Sequence, residues 1–135
     1  MAVAALITWL ITAAGGFYML GTWIAKGGTR SPRTSKLPAP VIFGHFALAA
    51  AGLVVWIIYL IADSDGLAWT AFVLMIPVAV LGFVMLARWI PTYRAAGATN
   101  PPPERHFPVP VVAGHGLFAV VTVVLVLLAA VGVGE

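Results

Sequence analysis

The chain has 135 residues, of which 62% are hydrophobic and 8% are charged, and its formal net charge is +3. These are too few charged side chains to cover the surface of a water-soluble domain, so the composition excludes that class of protein. The sequence contains no cysteine, which excludes disulfide bonds, thiolate metal sites and iron–sulfur clusters.

Four apolar stretches are each long enough to cross the hydrocarbon core of a bilayer as a helix, which takes about 20 residues. They cover residues 3–25, 38–62, 67–90 and 108–133. The first stretch has no Lys or Arg before it and is long for a secretion signal, so we interpret it as a membrane span. The sequence therefore predicts a single transmembrane domain, an all-α four-helix up-down bundle embedded in the lipid bilayer.

The ends of the first and third spans match each other. Residues 16–24 are GFYMLGTWI, and residues 82–90 are GFVMLARWI. The starts of the second and fourth spans also match, with PAPVIFGH at residues 38–45 and PVPVVAGH at residues 108–115. We infer two tandem helical hairpins, one over about residues 1–65 and the other over about residues 66–135. Since both hairpins have the same topology, they are expected to be related by an axis along the membrane normal.

All basic residues lie at one end of the predicted bundle: Lys26, Arg30, Arg33, Lys36, Arg88, Arg94 and Arg105. The other end carries acidic residues, namely Asp63, Asp65 and Glu135. Short loops rich in Lys and Arg stay in the cytoplasm. We therefore expect a protein of the bacterial cytoplasmic membrane, with the 1–2 and 3–4 loops cytoplasmic and both termini outside. Three tryptophans are then expected to mark the membrane interfaces: Trp23 and Trp89 inside, and Trp69 outside.

One histidine in each repeat, His45 or His115, follows a glycine inside an apolar span. At ~1.5 Å per residue, each lies about 10 Å in from the cytoplasmic edge. An ionisable side chain at that depth is costly unless it is paired or coordinated, which favours a functional role over simple packing. In an up-down bundle the second and fourth helices are diagonal, with room between them for a flat macrocycle. Haem b, ligated by both imidazoles, is the ligand that fits this spacing best.

This arrangement resembles the four-helix core of transmembrane b-type cytochromes. In that family, histidines of the second and fourth helices hold haem, and glycines of the first and third let the porphyrin approach closely. The resemblance implies His45 and His115 as axial ligands, and Gly16 and Gly82 as the close-approach glycines. The matched residues Gly44 and Gly114 remove bulk beside each histidine.

Respiratory members of that family carry a second haem about four helical turns along the same helices, near Tyr59 and Ala129 in this chain. Neither residue can replace a histidine, so one haem is expected. Basic residues near the cytoplasmic edge could pair with its carboxylates, and Arg88 is the first choice among them. The others are Lys26, Lys36, Arg94, Arg105 and His106.

Two alternatives to a haem protein stay open. The histidines could be interhelical packing contacts in an accessory or assembly subunit of a larger membrane complex, or of a homo-oligomer. With Met19 and Met85, which the repeat also matches, they could bind copper. As an electron carrier, the protein could exchange electrons with a quinone or a redox partner protein, and whether it is an enzyme stays undecided.

Several other functions are disfavoured. Nucleic acid is not an expected partner, because membrane topology accounts for the basic residues. The sequence contains no phosphate-binding loop, zinc-protease motif or carboxylate at the middle of a span. The proline-rich segment 95–104 is expected to be a solvated connector.

Overall fold

The computed structural model describes residues 1–30, 35–95 and 99–133. Four long helices account for most of these residues: α1 (Ala2–Ala25), α2 (Ala39–Ala62), α3 (Asp65–Arg94) and α4 (Val109–Ala130). A 3₁₀ helix (Pro103–His106) precedes α4. All four long helices are long and apolar enough to cross a membrane. The prediction of an all-α, four-helix membrane bundle is confirmed.

Prolines define where α2 and α4 begin. Pro38 and Pro108 are the N-cap residues of these helices, with φ values of −64° and −65°. A proline ring holds φ near this value and removes an N–H group that has no partner in the first helical turn. Both helices therefore begin one residue later than predicted, at the same point of each repeat.

The ends of α3 and α4 differ more from the prediction. α3 continues through Pro91 to Arg94, beyond the predicted end at residue 90. The Arg105 guanidinium donates hydrogen bonds to the carbonyls of Thr92, Tyr93 and Ala95, which are among the last carbonyls of that helix. α4 ends at Ala130, before the predicted residue 133, and Gly132 follows with a φ of 78°.

The most extensive interfaces of the bundle join helices from different repeats. α1 packs mainly on α4, and α2 packs mainly on α3, while the contacts within each hairpin are smaller. The two helices that carry the histidines, α2 and α4, face each other diagonally. The helices of each repeat therefore pack mainly against helices of the other repeat.

Two buried clusters lie at opposite ends of the bundle. The acidic-end cluster includes Trp9, Trp56 and Met75. The basic-end cluster consists of four buried side chains that pack together: Trp23, Leu37, Trp89 and Phe107. Along every helix, the histidine or glycine of the matched motifs lies between these two clusters. The histidine layer is therefore separated from both ends by packed apolar side chains.

The tryptophans at the basic end are not the lipid-facing anchors that the sequence suggested. Trp23 is 1% exposed and Trp89 is 8% exposed. Their indole N–H groups donate to Ser35 Oγ and to the Glu104 carbonyl, respectively. These rings pack inside the protein because loop residues supply a hydrogen-bond acceptor for each indole. Trp69, at the acidic end, is 43% exposed, as an interfacial residue would be.

Candidate functional site

The structure brings the two histidines together at the centre of the bundle. The ring centroids of His45 and His115 are 6.3 Å apart, and the planes are tilted by 54°. Both side chains are partly buried. Since they come from diagonal helices, the space between the rings is the space between the two repeats.

Each imidazole is held by a backbone carbonyl of the other repeat. His45 Nδ1 lies 2.9 Å from the carbonyl oxygen of Val78, and His115 Nδ1 lies 2.8 Å from that of Thr12. A carbonyl oxygen only accepts hydrogen bonds, so Nδ1 must carry the proton in both rings. In the neutral imidazole this leaves the Nε2 lone pair of each ring free to bind a metal.

Two glycines allow this approach. Gly16 and Gly82 lie one helical turn after Thr12 and Val78, the residues whose carbonyls accept the hydrogen bonds. A Cβ added at Gly16 would be 3.2 Å from His115 Cε1, and one added at Gly82 would be 3.4 Å from His45 Cε1. The missing side chains therefore leave room for each ring against the opposite helix.

The other predicted glycines have looser surroundings. A Cβ at Gly44 would first meet Leu81 Cδ1 at 3.9 Å, and one at Gly114 would meet nothing within 4 Å. A neighbour of Gly16 that the sequence analysis missed is closer: a Cβ at Gly15 would lie 3.4 Å from the Cβ of His115. The tight contacts of the site are thus on α1 and α3, opposite the histidine-bearing helices.

These contacts follow the internal repeat. The repeat that matches Gly16 with Gly82 also matches Thr12 with Val78, and it matches His45 with His115. Each histidine therefore makes the same hydrogen bond and the same glycine contact, always with the opposite repeat. The acceptors were missed by the sequence analysis because any residue type can supply a backbone carbonyl.

The spacing of the rings suits a metal bound between them. With metal–nitrogen bonds of about 2 Å, and about 1 Å from each nitrogen to its ring centre, two opposed imidazoles have centroids about 6 Å apart. The observed separation is 6.3 Å. Within the described residues, no cluster of three or more His, Cys, Asp or Glu side chains forms a candidate metal site. A porphyrin supplies four nitrogen ligands of its own, so haem needs only two from the protein.

A cavity of about 840 Å³ opens at the basic end of the bundle. Its lining includes Trp23, Lys36, Pro38, Arg88 and Thr92. Arg88 is exposed, and its Nη1 donates to the Lys36 carbonyl at 3.2 Å. The guanidinium keeps other N–H groups free to bind a carboxylate.

The remaining basic candidates are placed differently. Arg105 binds the carbonyls at the end of α3, and His106 Nδ1 lies 3.2 Å from the Pro103 carbonyl. Lys26 and Arg94 are exposed at the same end of the molecule. Arg33 and Glu135 lie outside the described residues.

Met19 and Met85 pack against the basic-end cluster. The positions where a second haem would need ligands belong to the acidic-end cluster, in which Tyr59 is 4% exposed and Ala129 is 5% exposed. Packed side chains therefore occupy this level of the bundle.

The loop before α4 also differs from the prediction. Glu104, at the end of the segment expected to be solvated, is 0% exposed. Polar groups from the other loop bind its carboxylate, which explains how a charged group can be buried there. No local signal distinguishes such a glutamate from an exposed one, because its partners are distant in sequence.

Comparisons with protein-family models, with curated proteins and with solved structures gave no match.

Proposed function

We propose that this protein is a membrane-embedded b-type cytochrome that binds one haem through Nε2 of His45 and of His115. The observation that carries the proposal is the pair of matched hydrogen bonds from Nδ1 to the carbonyls of Thr12 and Val78. A histidine that ligates a metal almost always donates its other ring N–H group in this way. Two such rings lie 6.3 Å apart on diagonal helices, and they would be the axial ligands of the iron.

The haem would supply a one-electron redox couple. Ligation by two imidazoles leaves no open position on the iron, which favours electron transfer over oxygen binding. The two carbonyls hold the imidazoles in one tautomer and one orientation. The apolar clusters on both sides keep water away from the rings. Arg88, at the basic-end cavity, is the residue proposed to face the haem carboxylates.

We also propose which side of the membrane the basic end faces and which partners exchange electrons with the haem. The basic end faces the cytoplasm, since Lys and Arg are retained on that side of the bacterial membrane. The histidine layer would then lie in the cytoplasmic half of the bilayer. Electrons would be exchanged there with a membrane quinone or with a redox protein bound at the cytoplasmic surface.

The decisive experiment is expression with ample haem, followed by optical and elemental analysis of the purified protein. We expect a sharp Soret band, a low-spin spectrum and about one iron per chain. His45→Ala and His115→Ala should each abolish the low-spin bis-histidine spectrum. His106→Ala is the matched control, because His106 lies in the loop before α4, and it should leave the spectrum unchanged.

Unchanged spectra in both single variants would show that the axial assignment is wrong. Wild-type protein that binds neither haem nor copper, when both are supplied, would leave the accessory-subunit function instead.

A further inference from the structure

Glu104 is the buried carboxylate of the basic end. It lies in the 3₁₀ helix before α4 and is 0% exposed. Moving a carboxylate out of water is costly unless hydrogen bonds to protein groups replace those to water. Its partners therefore decide what the residue does in the fold.

The carboxylate binds the segment just before α2. Ser35 Oγ donates to Glu104 Oε2 at 2.9 Å, and the Lys36 N–H donates to Oε1 at 2.5 Å. The Glu104 carbonyl accepts a hydrogen bond from the Trp89 indole of α3 at 3.0 Å. A single residue of the loop that precedes α4 is thus bonded both to α3 and to the segment just before α2.

Ser35 extends the connection to α1. Its Oγ accepts hydrogen bonds from the Trp23 indole at 3.0 Å and from the Leu37 N–H at 3.1 Å. We call this network, made of Glu104, Ser35, the Lys36 N–H and the indoles of Trp23 and Trp89, the polar clasp. At the basic end it joins α1 and α3 to the segments that precede α2 and α4.

The polar clasp is well placed to control the distance between α2 and α4. These helices are diagonal, and each begins at a proline a few residues after a clasp residue. Prolines fix the backbone at those points, so displacement of either loop is passed on to the helix that follows. His45 and His115 lie about 10 Å further along, at ~1.5 Å per residue.

We propose that Glu104 is a positioning residue, which sets the separation of α2 and α4 and thereby the separation of the two imidazoles. Its effect on haem rests on the proposed function. Its effect on helix separation does not, and can be measured in protein without haem.

The first test measures helix separation by pulsed electron paramagnetic resonance. The natural chain has no cysteine, so spin labels can be attached at Ala47→Cys and Leu117→Cys, which are exposed positions matched by the repeat. In the haem-free protein, Glu104→Ala should shift or broaden the distance distribution. Glu104→Gln should restore it only in part, because the amide oxygen can accept from the Lys36 N–H, whereas Ser35 Oγ already accepts two hydrogen bonds and cannot accept from the amide N–H.

Asn100→Ala is the matched control from an exposed position of the same loop, and it should leave the distribution unchanged. If Glu104→Ala does not insert into the membrane, Ser35→Ala, which removes the other centre of the clasp, should broaden the distribution instead. A distribution identical to that of the wild type in Glu104→Ala, or in Ser35→Ala where the first variant fails, would overturn the proposal.

The second test measures the haem site. Glu104→Ala should raise the haem dissociation constant by no more than the roughly ten-fold that loss of an outer-shell partner costs at metal sites, because Glu104 acts on the imidazoles only through the helices. It should also change the low-spin electron paramagnetic resonance signal, which reports ring orientation, and Glu104→Gln should restore that signal in part. A helix shift with an unchanged signal would overturn the link from Glu104 to the imidazoles. Absence of haem in the wild type would overturn the proposed function and leave the first test valid.

Discussion

Single residues at the centre of the bundle determine how close each imidazole comes to the neighbouring helix. His115 contacts α1 at Gly16 and bonds to the carbonyl of Thr12. His45 makes the equivalent contacts with α3, at Gly82 and Val78. The glycines predicted to admit a porphyrin lie directly against the rings, so their substitution should act on the ligands themselves.

Substitution of these glycines should have graded effects. Gly16→Ala places a Cβ 3.2 Å from His115 Cε1, tighter than most real contacts, whereas Gly82→Ala gives an ordinary contact of 3.4 Å with His45. We expect Gly16→Ala to weaken haem binding more than Gly82→Ala, by a few-fold to roughly ten-fold. Haem titration of the purified variants measures this.

Gly21→Ala is the control for these variants, because a Cβ there meets nothing within 4 Å and the change favours the helix. Equal losses of haem affinity in all three variants would show that the close contacts do not position the rings.

Substitution of the two matched methionines distinguishes haem binding from copper binding. Met19 and Met85 pack against the basic-end cluster, and leucine has nearly the same volume. The double change Met19→Leu with Met85→Leu should therefore retain haem and cost less than about 1.5 kcal/mol of stability at each position. A protein that instead loses bound copper on this change would support the copper alternative, since the soft ligands would be gone. Elemental analysis together with the optical spectrum distinguishes the two results.

At the scale of elements, helix existence follows from local sequence, whereas helix ends depend on distant groups. The apolar runs and the prolines 38 and 108 are sufficient to predict α2 and α4 to within a few residues. The end of α3 is different, because Arg105 from the next loop binds its terminal carbonyls. The charges in the loops support a separate prediction, which is the side of the membrane that each loop faces.

Cysteine labelling tests the predicted orientation. Ser64 and Thr99 are exposed, and they lie at the acidic and basic ends respectively. In intact cells, Ser64→Cys should react with a membrane-impermeant maleimide. Thr99→Cys should react only after the cells are permeabilised, because the basic loops stay inside. The opposite pattern would put the histidine layer in the outer half of the membrane and remove a cytoplasmic electron partner.

At the scale of the whole molecule, two similar hairpins form one site through the contacts that each makes with the other. The extensive interfaces, α1 with α4 and α2 with α3, both cross between repeats. The repeats differ at the acidic end, where Trp9 and Trp56 lie 6.5 Å apart but the matching residues are Met75 and Val126. The shared feature is therefore the histidine layer, which belongs to neither hairpin alone.

Separated hairpins should reassociate. Residues 1–64 and 65–135, co-expressed as two chains, keep both interfaces between repeats and lose only the connection between α2 and α3. Since transmembrane helices associate through such packing after insertion, we expect recovery of the low-spin haem spectrum. Co-purification and optical spectroscopy measure the result.

The control for the split protein is His115→Ala in the second fragment, which should reassociate without that spectrum. Failure of the two wild-type fragments to co-purify would show that the tight turn between α2 and α3 is needed for assembly.

The sequence by itself determined the fold class and the location of the histidines. The length of an apolar stretch predicts a membrane helix because every span must cross the same thickness of hydrocarbon. The repeat places His45 and His115 at equal depth because equal numbers of residues separate them from matched prolines. Both conclusions depend on local composition and helix rise, which need no knowledge of tertiary contacts.

Only the tertiary structure decided what holds the imidazoles and what is buried at the basic end. The acceptors of their hydrogen bonds are backbone carbonyls of Thr12 and Val78, which have no signature in the side-chain sequence. Trp23 was expected at the membrane interface and Glu104 in a solvated connector, yet both are buried, because Ser35 provides a hydrogen-bond partner for each. Burial of a polar group depends on which partner meets it in space, and that is set by how the two hairpins pack.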